Sequence, residues 1–402
     1  MTEERKRKLE KNFFKIFFVN SLLNIKMINI VSSLYYVYRS LVLADMFYLG
    51  VVYSITVIIS EVPSSYLADK FGRKRTIFLA TIFSLLHWVF FLVASNFWFF
   101  AVGIIFYALA ESFMSGTDEA IVYDTNKELG NKSSSLKHLS LYLSSERIFK
   151  IGSAFLAAFI AKDLAGWQFS LIIMVDLVAS VVAMFFSLTL TEPNHFMDLE
   201  KQEAGIIRDA YKVLSNDKGL MVAIINKLFV VIAATVCWRY VGVFFVDKLG
   251  VPLIALGIIW SIYHALVFVG NRMSHIVWSN KLDSFKINFL NFVFLSSLVL
   301  FFVSWFFYPG KYILLMCYVI LEMTSSLRDP FFSHMFNKQF NSYNRATALS
   351  LANFVRHVFE IPVLLLVGWL VGINIIYPYA VALVLGLVTV FYFRVSEKKL
   401  IQ

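Results

Sequence analysis

The sequence predicts an all-α polytopic membrane protein: twelve transmembrane helices in two pseudo-symmetric six-helix bundles. Three observations lead there. The 402 residues are 59% hydrophobic and 15% charged, with a mean hydropathy of +0.73, whereas soluble domains carry about 45–50% apolar and about 25% charged residues. Apolar runs of spanning length recur along the whole chain. One long polar stretch, 191–218, divides those runs into two equal sets.

Taken in order, the runs cover 13–38, 47–68, 76–95, 97–123, 139–162 and 168–190, then 219–246, 252–277, 285–308, 311–335, 346–371 and 373–394. Each suits a hydrocarbon core about 30 Å thick at about 1.5 Å of rise per residue. Only helices fit, because backbone polar groups in lipid must be satisfied within the segment. The expected organisation is a tail over 1–12, a bundle over 13–190, a central loop over 191–218, a second bundle over 219–394 and a tail over 395–402. Within the loop, "DLEKQEAGIIRDAYKVL" has apolar residues at helical spacing and predicts a short surface helix. The N-terminus leads into run one without a small-residue cleavage site, so that run is expected to remain as the first helix.

The formal net charge of +10 does not indicate nucleic acid here, because the basic residues fall in the short gaps between runs. "RKRK" near the start, "KFGRKR" at 70–75, Lys127, Lys132, Lys137, Lys281, Lys338, Arg345, Lys398 and Lys399 lie on one side. The opposite gaps hold little beyond Arg39, Lys162, Lys248 and Lys311. That asymmetry predicts a multi-pass protein of the cytoplasmic membrane with both termini cytoplasmic. Cys237 and Cys317 form no spacing motif and read as core thiols.

The two halves share a pattern. Run four carries Tyr107, Glu111 and Asp118; run ten carries Tyr318, Glu322 and Asp329. Both are Tyr, three residues, an acid, six residues and Asp, at the same helix ordinal, as parallel transporter repeats would be. "FKIG" at 149–152 and "FEIP" at 359–362 form a second, shorter match.

The gap between runs two and three reads "SSYLADKFGRKRT", residues 64–76. It resembles the signature loop of the major facilitator superfamily at Leu67, Ala68, Asp69, Lys70, Gly72, Arg73, Lys74 and Arg75, with Ser65 in place of the usual first glycine. Gly72 permits a turn with positive φ. The resemblance implies a charge cluster in which Asp69 and Arg73 latch one conformational state, and Asp124 is a candidate partner for Arg73. Glu61 and Arg328 join Asp69, Gly72, Arg73 and Asp124 as candidate gating residues. "EVPSSYLAD" and "SGTDEAIVYD" look like stretches in a subset of bacterial facilitator proteins of unassigned substrate.

A charge at mid-bilayer costs roughly 3 kcal/mol on insertion scales, so it faces a wet cavity or a partner. The chain has many: Lys26, Glu61, Glu111, Asp118, Glu119, Arg147, Lys150, Asp176, Arg239, Arg272, Glu322, Arg328, Asp329, Arg356 and Glu360. Glu111, Ser115 and Asp118 share a face if run four is one helix, with Asp118 about 10 Å nearer the cytoplasm. The resemblance implies that helices four and ten line a central cavity. Glu111 and Glu322 are then proton carriers or partners for a cationic cargo, or else interhelix ion pairs with Lys26, Arg239 or Arg356. Asp118 and Asp329 are candidates for the same site or for gating; Glu119 could instead meet Arg147 or Lys150. Lys26 and Arg239 either hold an anionic cargo or neutralise the acids. Histidines 264, 275, 334 and 357 lack ligand spacing, so no metal or other cofactor is expected.

Two transport readings follow. One is proton-coupled export of amphipathic or cationic compounds, although "KIGSAFLAAF" lacks the proline and glycine pair of the family's antiporter signature, and Ser112 stands where proton-coupled members carry arginine. The other is symport or facilitated uptake of a small anionic metabolite, peptide or metal chelate. No phosphate loop, nucleophile elbow or catalytic constellation points to an enzyme. The expected partners are a small-molecule substrate, a proton and the lipid bilayer, with the chain acting as a monomer.

Overall fold

The computed structural model describes residues 1–130, 135–194, 218–277, 281–308, 310–339 and 345–396. The predicted surface helix, most of the central loop and the end of the C-terminal tail lie outside the described residues. So do the side chains of Asp69, Arg147 and His275. The chain divides into two compact units, Met1–Val42 with Leu49–Leu199, and Leu43–Tyr48 with Glu200–Gln402.

In the first unit, run one is α1 (Glu3–Leu23), a 3-10 turn (Met27–Val31) and α2 (Ser32–Tyr38). Runs two and three are α3 (Leu43–Phe71) and α4 (Arg73–Val93). Run four is α5 (Phe97–Met114) followed by α6 (Thr117–Glu128). Runs five and six are α7 (Ser135–Ile160) and α8 (Gly166–Leu188). Helix α4 packs on α5 and α8, and α1 on α7 and α8. Ile16, Val19, Ile77, Ala80, Phe113 and Tyr142 belong to the apolar core they share.

In the second unit, run seven is α9 (Lys218–Trp238) plus a π-helical stretch (Val243–Lys248). Runs eight and nine are α10 (Leu253–Val277) and α11 (Asp283–Phe307). Run ten is α12 (Lys311–Leu327) and α13 (Asp329–Gln339), and the last two are α14 (Arg345–Ile373) and α15 (Tyr377–Phe391). Helix α11 packs on α12 and α15, and α9 on α15. Cys237 and Cys317 are buried and free.

Among the described residues, nine stretches are long and apolar enough to cross a membrane. Runs five, ten and twelve fall short of that measure. The apolar part of α7 is Phe149–Ile160, α12 stops after 17 residues, and α15 has 15.

The expectation of uninterrupted helices fails in runs one, four, seven and ten, and in three of them, one, four and ten, the sequence at the break supplies a local reason. Asn20 and Asn24 compete for backbone groups at the end of α1, where the Asn24 amide donates to the Asn20 carbonyl at 3.0 Å. Two residues on, Lys26 adopts a left-handed backbone with φ 38°. In run four, Gly116 sits at φ 73°, a conformation that glycine takes without strain. In run ten, Pro330 lies in the first turn of α13 and has no N–H to continue the ladder.

Candidate transport site

The break in run four changes what its acids can do. Glu111 is in the last turn of α5, while Asp118 and Glu119 fall in the first turn of α6. A helix N-terminus carries partial positive charge, which favours acids there. Glu111 and Asp118 therefore lie on two helices and do not share the face of one. Glu111, Ser115 and Asp118 nonetheless line one cavity of about 480 Å³ within the first unit, together with Lys26, Glu119 and Lys150.

Lys26 reaches this cavity from the break in run one. Its Nζ donates to Glu111 Oε1 at 2.8 Å and to the Tyr107 hydroxyl at 3.1 Å. The ammonium also lies 4.9 Å from the centroid of the Tyr107 ring. The Glu111 side chain is 45% exposed and the Lys26 side chain 10%. Thus the acid stays accessible while its partner is enclosed. Asp118 accepts a hydrogen bond from the Tyr142 hydroxyl and one from the Glu119 N–H at 2.7 Å. Tyr142, on α7, carried no signal in the sequence, since one tyrosine in an aromatic-rich chain is unremarked.

The signature loop is built around a capped helix. Gly72, at φ 94°, leads into α4, and the Glu192 carboxylate accepts the N–H groups of Arg73 and Lys74 at 2.8 and 2.7 Å. A Cβ on Gly72 would meet that carboxylate at 3.0–3.1 Å. Arg73 Nε lies 3.0 Å from Asp124 Oδ2 on α6, so the loop and run four are tied by an ion pair. Beside it, Arg5 donates to both oxygens of Glu128 at 2.5 and 3.0 Å, and Asn194 N–H donates to Glu128 at 2.7 Å. Glu128 and Glu192 were not singled out in the sequence; single acids in polar gaps carry no periodic signal. Glu61, on α3, is 8% exposed.

The second unit distributes its charges differently. Arg239 and Arg356 each approach Glu360 at 3.9 Å, and His357 Nδ1 lies 3.1 Å from the same carboxylate. Glu322, on α12, has no cation at ion-pair distance among the described residues, and its Oε1 is buried without a hydrogen bond. Asp329 pairs with Lys227 at 3.4 Å. Arg328 is 1% exposed and donates to the carbonyl and side-chain oxygens of Asn226 at 3.0 and 2.8 Å. Asn226 also reaches Asn291 and the Phe393 carbonyl. This asparagine hub is another feature that hydropathy does not reveal.

Comparison with known proteins agrees with this architecture. The Major Facilitator Superfamily profile matches residues 16–361. A Bacillus subtilis (strain 168) protein described as the uncharacterized MFS-type transporter YxaM is 27% identical over 225 residues, a match spanning 55% of each chain. Among solved structures, a bacterial homolog of the human lysosomal transporter Spinster aligns over 100% of this chain and 98% of its own, with TM-score 0.73 and 11% identity. The D-xylose–proton symporter aligns over 99% of both chains, with TM-score 0.71 and 14% identity. The nucleoside transporter NupG aligns over 96% of this chain and 98% of its own, with TM-score 0.73 and 14% identity. At those identities the structures speak for the fold. The chain belongs to the Major Facilitator Superfamily: a multi-pass membrane transporter, not an enzyme, with that family's twelve helices in two six-helix units.

Proposed function

We propose that the chain is a proton-coupled secondary transporter that exports small amphipathic cations by alternating access. One observation carries the cationic reading. The cations that an anionic cargo would need are already engaged, Lys26 by Glu111 and both Arg239 and Arg356 by Glu360. Acids are in surplus: the first-unit cavity has three against two lysines, and Glu322 has no cation partner among the described residues.

In this account a proton and the cargo compete for Glu322, while protonation of Glu111 releases Lys26. Export of a cation demands coupling. A potential negative inside draws a cation inward by about 2.3 kcal/mol per charge per 100 mV, so moving it out requires coupling, and inward proton flow supplies it. Asp118 and Asp329 tune the two sites, and Arg239 restrains Glu360. Access alternates between the two sides of the membrane, gated by Asp69, Gly72, Arg73 and Asp124, with Glu61 and Arg328 fixing the helices they sit on. Both termini are cytoplasmic, and the chain works as a monomer without a cofactor.

The test uses purified protein in liposomes enclosing a pH dye. Cationic, neutral and anionic compounds are added in turn to wild type and to Glu322→Gln. Cations alone should move protons, and the substitution should abolish that movement. Proton movement driven by anionic compounds, with cations inert, would replace this reading by anion symport. Cation flux without protons would make the chain a facilitator.

A further inference from the structure

We infer that Asp176 is a positioning residue: its carboxylate holds run one broken so that Lys26 projects into the first-unit cavity. This rests on the proposed role of the Lys26–Glu111 pair in transport.

Asp176 lies on α8 and is 2% exposed. Its Oδ1 accepts the Met27 N–H at 2.8 Å and its Oδ2 accepts the Ile28 N–H at 3.1 Å. Those are the first two amides of the 3-10 turn that restarts run one after the break. The opening N–H groups of any helical segment have no carbonyl one turn back to receive them. Buried in a bundle, such orphans must find partners elsewhere. A bidentate carboxylate serves both at once, from an element nearly 150 residues away in sequence.

The consequence falls on Lys26. Immediately before the restart, it takes φ 38° and ψ 53°, a region that non-glycine residues occupy only when their surroundings over-determine it. Three contacts do so here. The Lys26 carbonyl accepts the Asn29 N–H at 3.1 Å, the next two amides are fixed by Asp176, and Nζ is fixed by Glu111 and Tyr107. Without the carboxylate, the least costly way to satisfy the Met27 and Ile28 amides is to continue α1 through Lys26. That turns its side chain to another side of the helix.

The experiment reads the position of residue 26 directly, by its reactivity, and transport separately. Cys237 and Cys317 are replaced by alanine, Lys26→Cys is introduced, and modification by a charged thiol reagent is timed in detergent-purified protein. The site should label, and adding Asp176→Leu should slow labelling at least tenfold. Asp176→Asn, whose amide oxygen still accepts one N–H but lacks the charge, should slow it about threefold. If the leucine variant does not fold to a monodisperse peak, the asparagine variant decides. Labelling unchanged in a folded Asp176 variant would overturn the inference. Transport kinetics for the same Asp176 substitutions, made with Lys26 intact, should show a raised KM for cations with a smaller change in maximal rate. If instead Lys26→Ala and Glu111→Gln leave transport untouched, the transport reading fails while the labelling result still decides the role of Asp176.

Discussion

Runs four and ten carry the same pattern, yet the two units use it differently. Each run stops after its glutamate and resumes with an aspartate in the first turn of the next helix, at Asp118 of α6 and Asp329 of α13. In the first unit Glu111 is paired with Lys26 at 2.8 Å and Asp118 is held by Tyr142. In the second, Glu322 has no ion-pair partner among the described residues, and Asp329 takes Lys227. The signature-loop end shows the same divergence. Arg73 of run three pairs with Asp124 of run four; at one constant offset, Asp283 of run nine pairs with His334 of run ten at 2.5 Å. The polarity is reversed, and histidine replaces arginine. Repetition has kept the backbone breaks and the places where charges meet, while the charges themselves have been reassigned. One unit thus pairs its acid with a cation, and the other, among the described residues, does not.

Substitutions test that asymmetry. The largest effect is expected at Glu322: because a positioned proton-transfer group contributes about 10²–10⁴-fold, Glu322→Gln should lower cation-driven proton flux in liposomes by at least about 100-fold. A smaller effect there than at Glu111 would reverse the assignment of roles.

Next is the Arg73–Asp124 pair, whose side chains are only 13% and 10% exposed. A double-mutant cycle on thermal stability, using Arg73→Met and Asp124→Asn, should give a coupling of about 1–2 kcal/mol. Coupling near zero would reduce the loop's positive charges to an orientation signal.

Glu111→Gln should cost about fivefold in flux, because its side chain is 45% exposed and solvent screens such pairs to about 1 kcal/mol or less. Adding Lys26→Met should recover part of that loss; a further loss would mean that Lys26 contacts cargo itself.

The smallest effect is expected at the Asp283–His334 pair, because the histidine side chain is 58% exposed and solvent screens such pairs to about 1 kcal/mol or less. Lys286, 3.0 Å from Asp283, remains as the carboxylate's partner when the histidine is removed. His334→Ala should therefore change the transport rate by about twofold or less. A loss as large as that expected at Glu322 would give the second-unit pair a role of its own.

Much of the fold was legible because it follows from amounts and periods. Apolar run length gave the helices. The residues of "LADKFGRKR" carried the family resemblance and named Asp124 beside Arg73. The breaks were not legible. Hydropathy runs on through Asn24–Lys26 and Ser115–Gly116 as if the helices did, and the amides that follow the first break meet a carboxylate on α8. For the same reason the sequence named three possible cations for Glu111 and Glu322 without choosing. The choice of Lys26 for Glu111 depends on where the break in run one puts its side chain. Tyr142, Glu192 and Asn226 act through single tertiary contacts, which leave no pattern along the chain.

The most direct test of the asymmetry is proton release on cargo binding. Detergent-purified protein in weakly buffered solution at mildly acidic pH is titrated with a lipophilic phosphonium cation, and the protons released are counted with a pH indicator. Wild type and Glu111→Gln should release about one proton per bound cation, and Glu322→Gln none. Release that survives in Glu322→Gln and disappears in Glu111→Gln would place the available acid in the first unit and contradict the account.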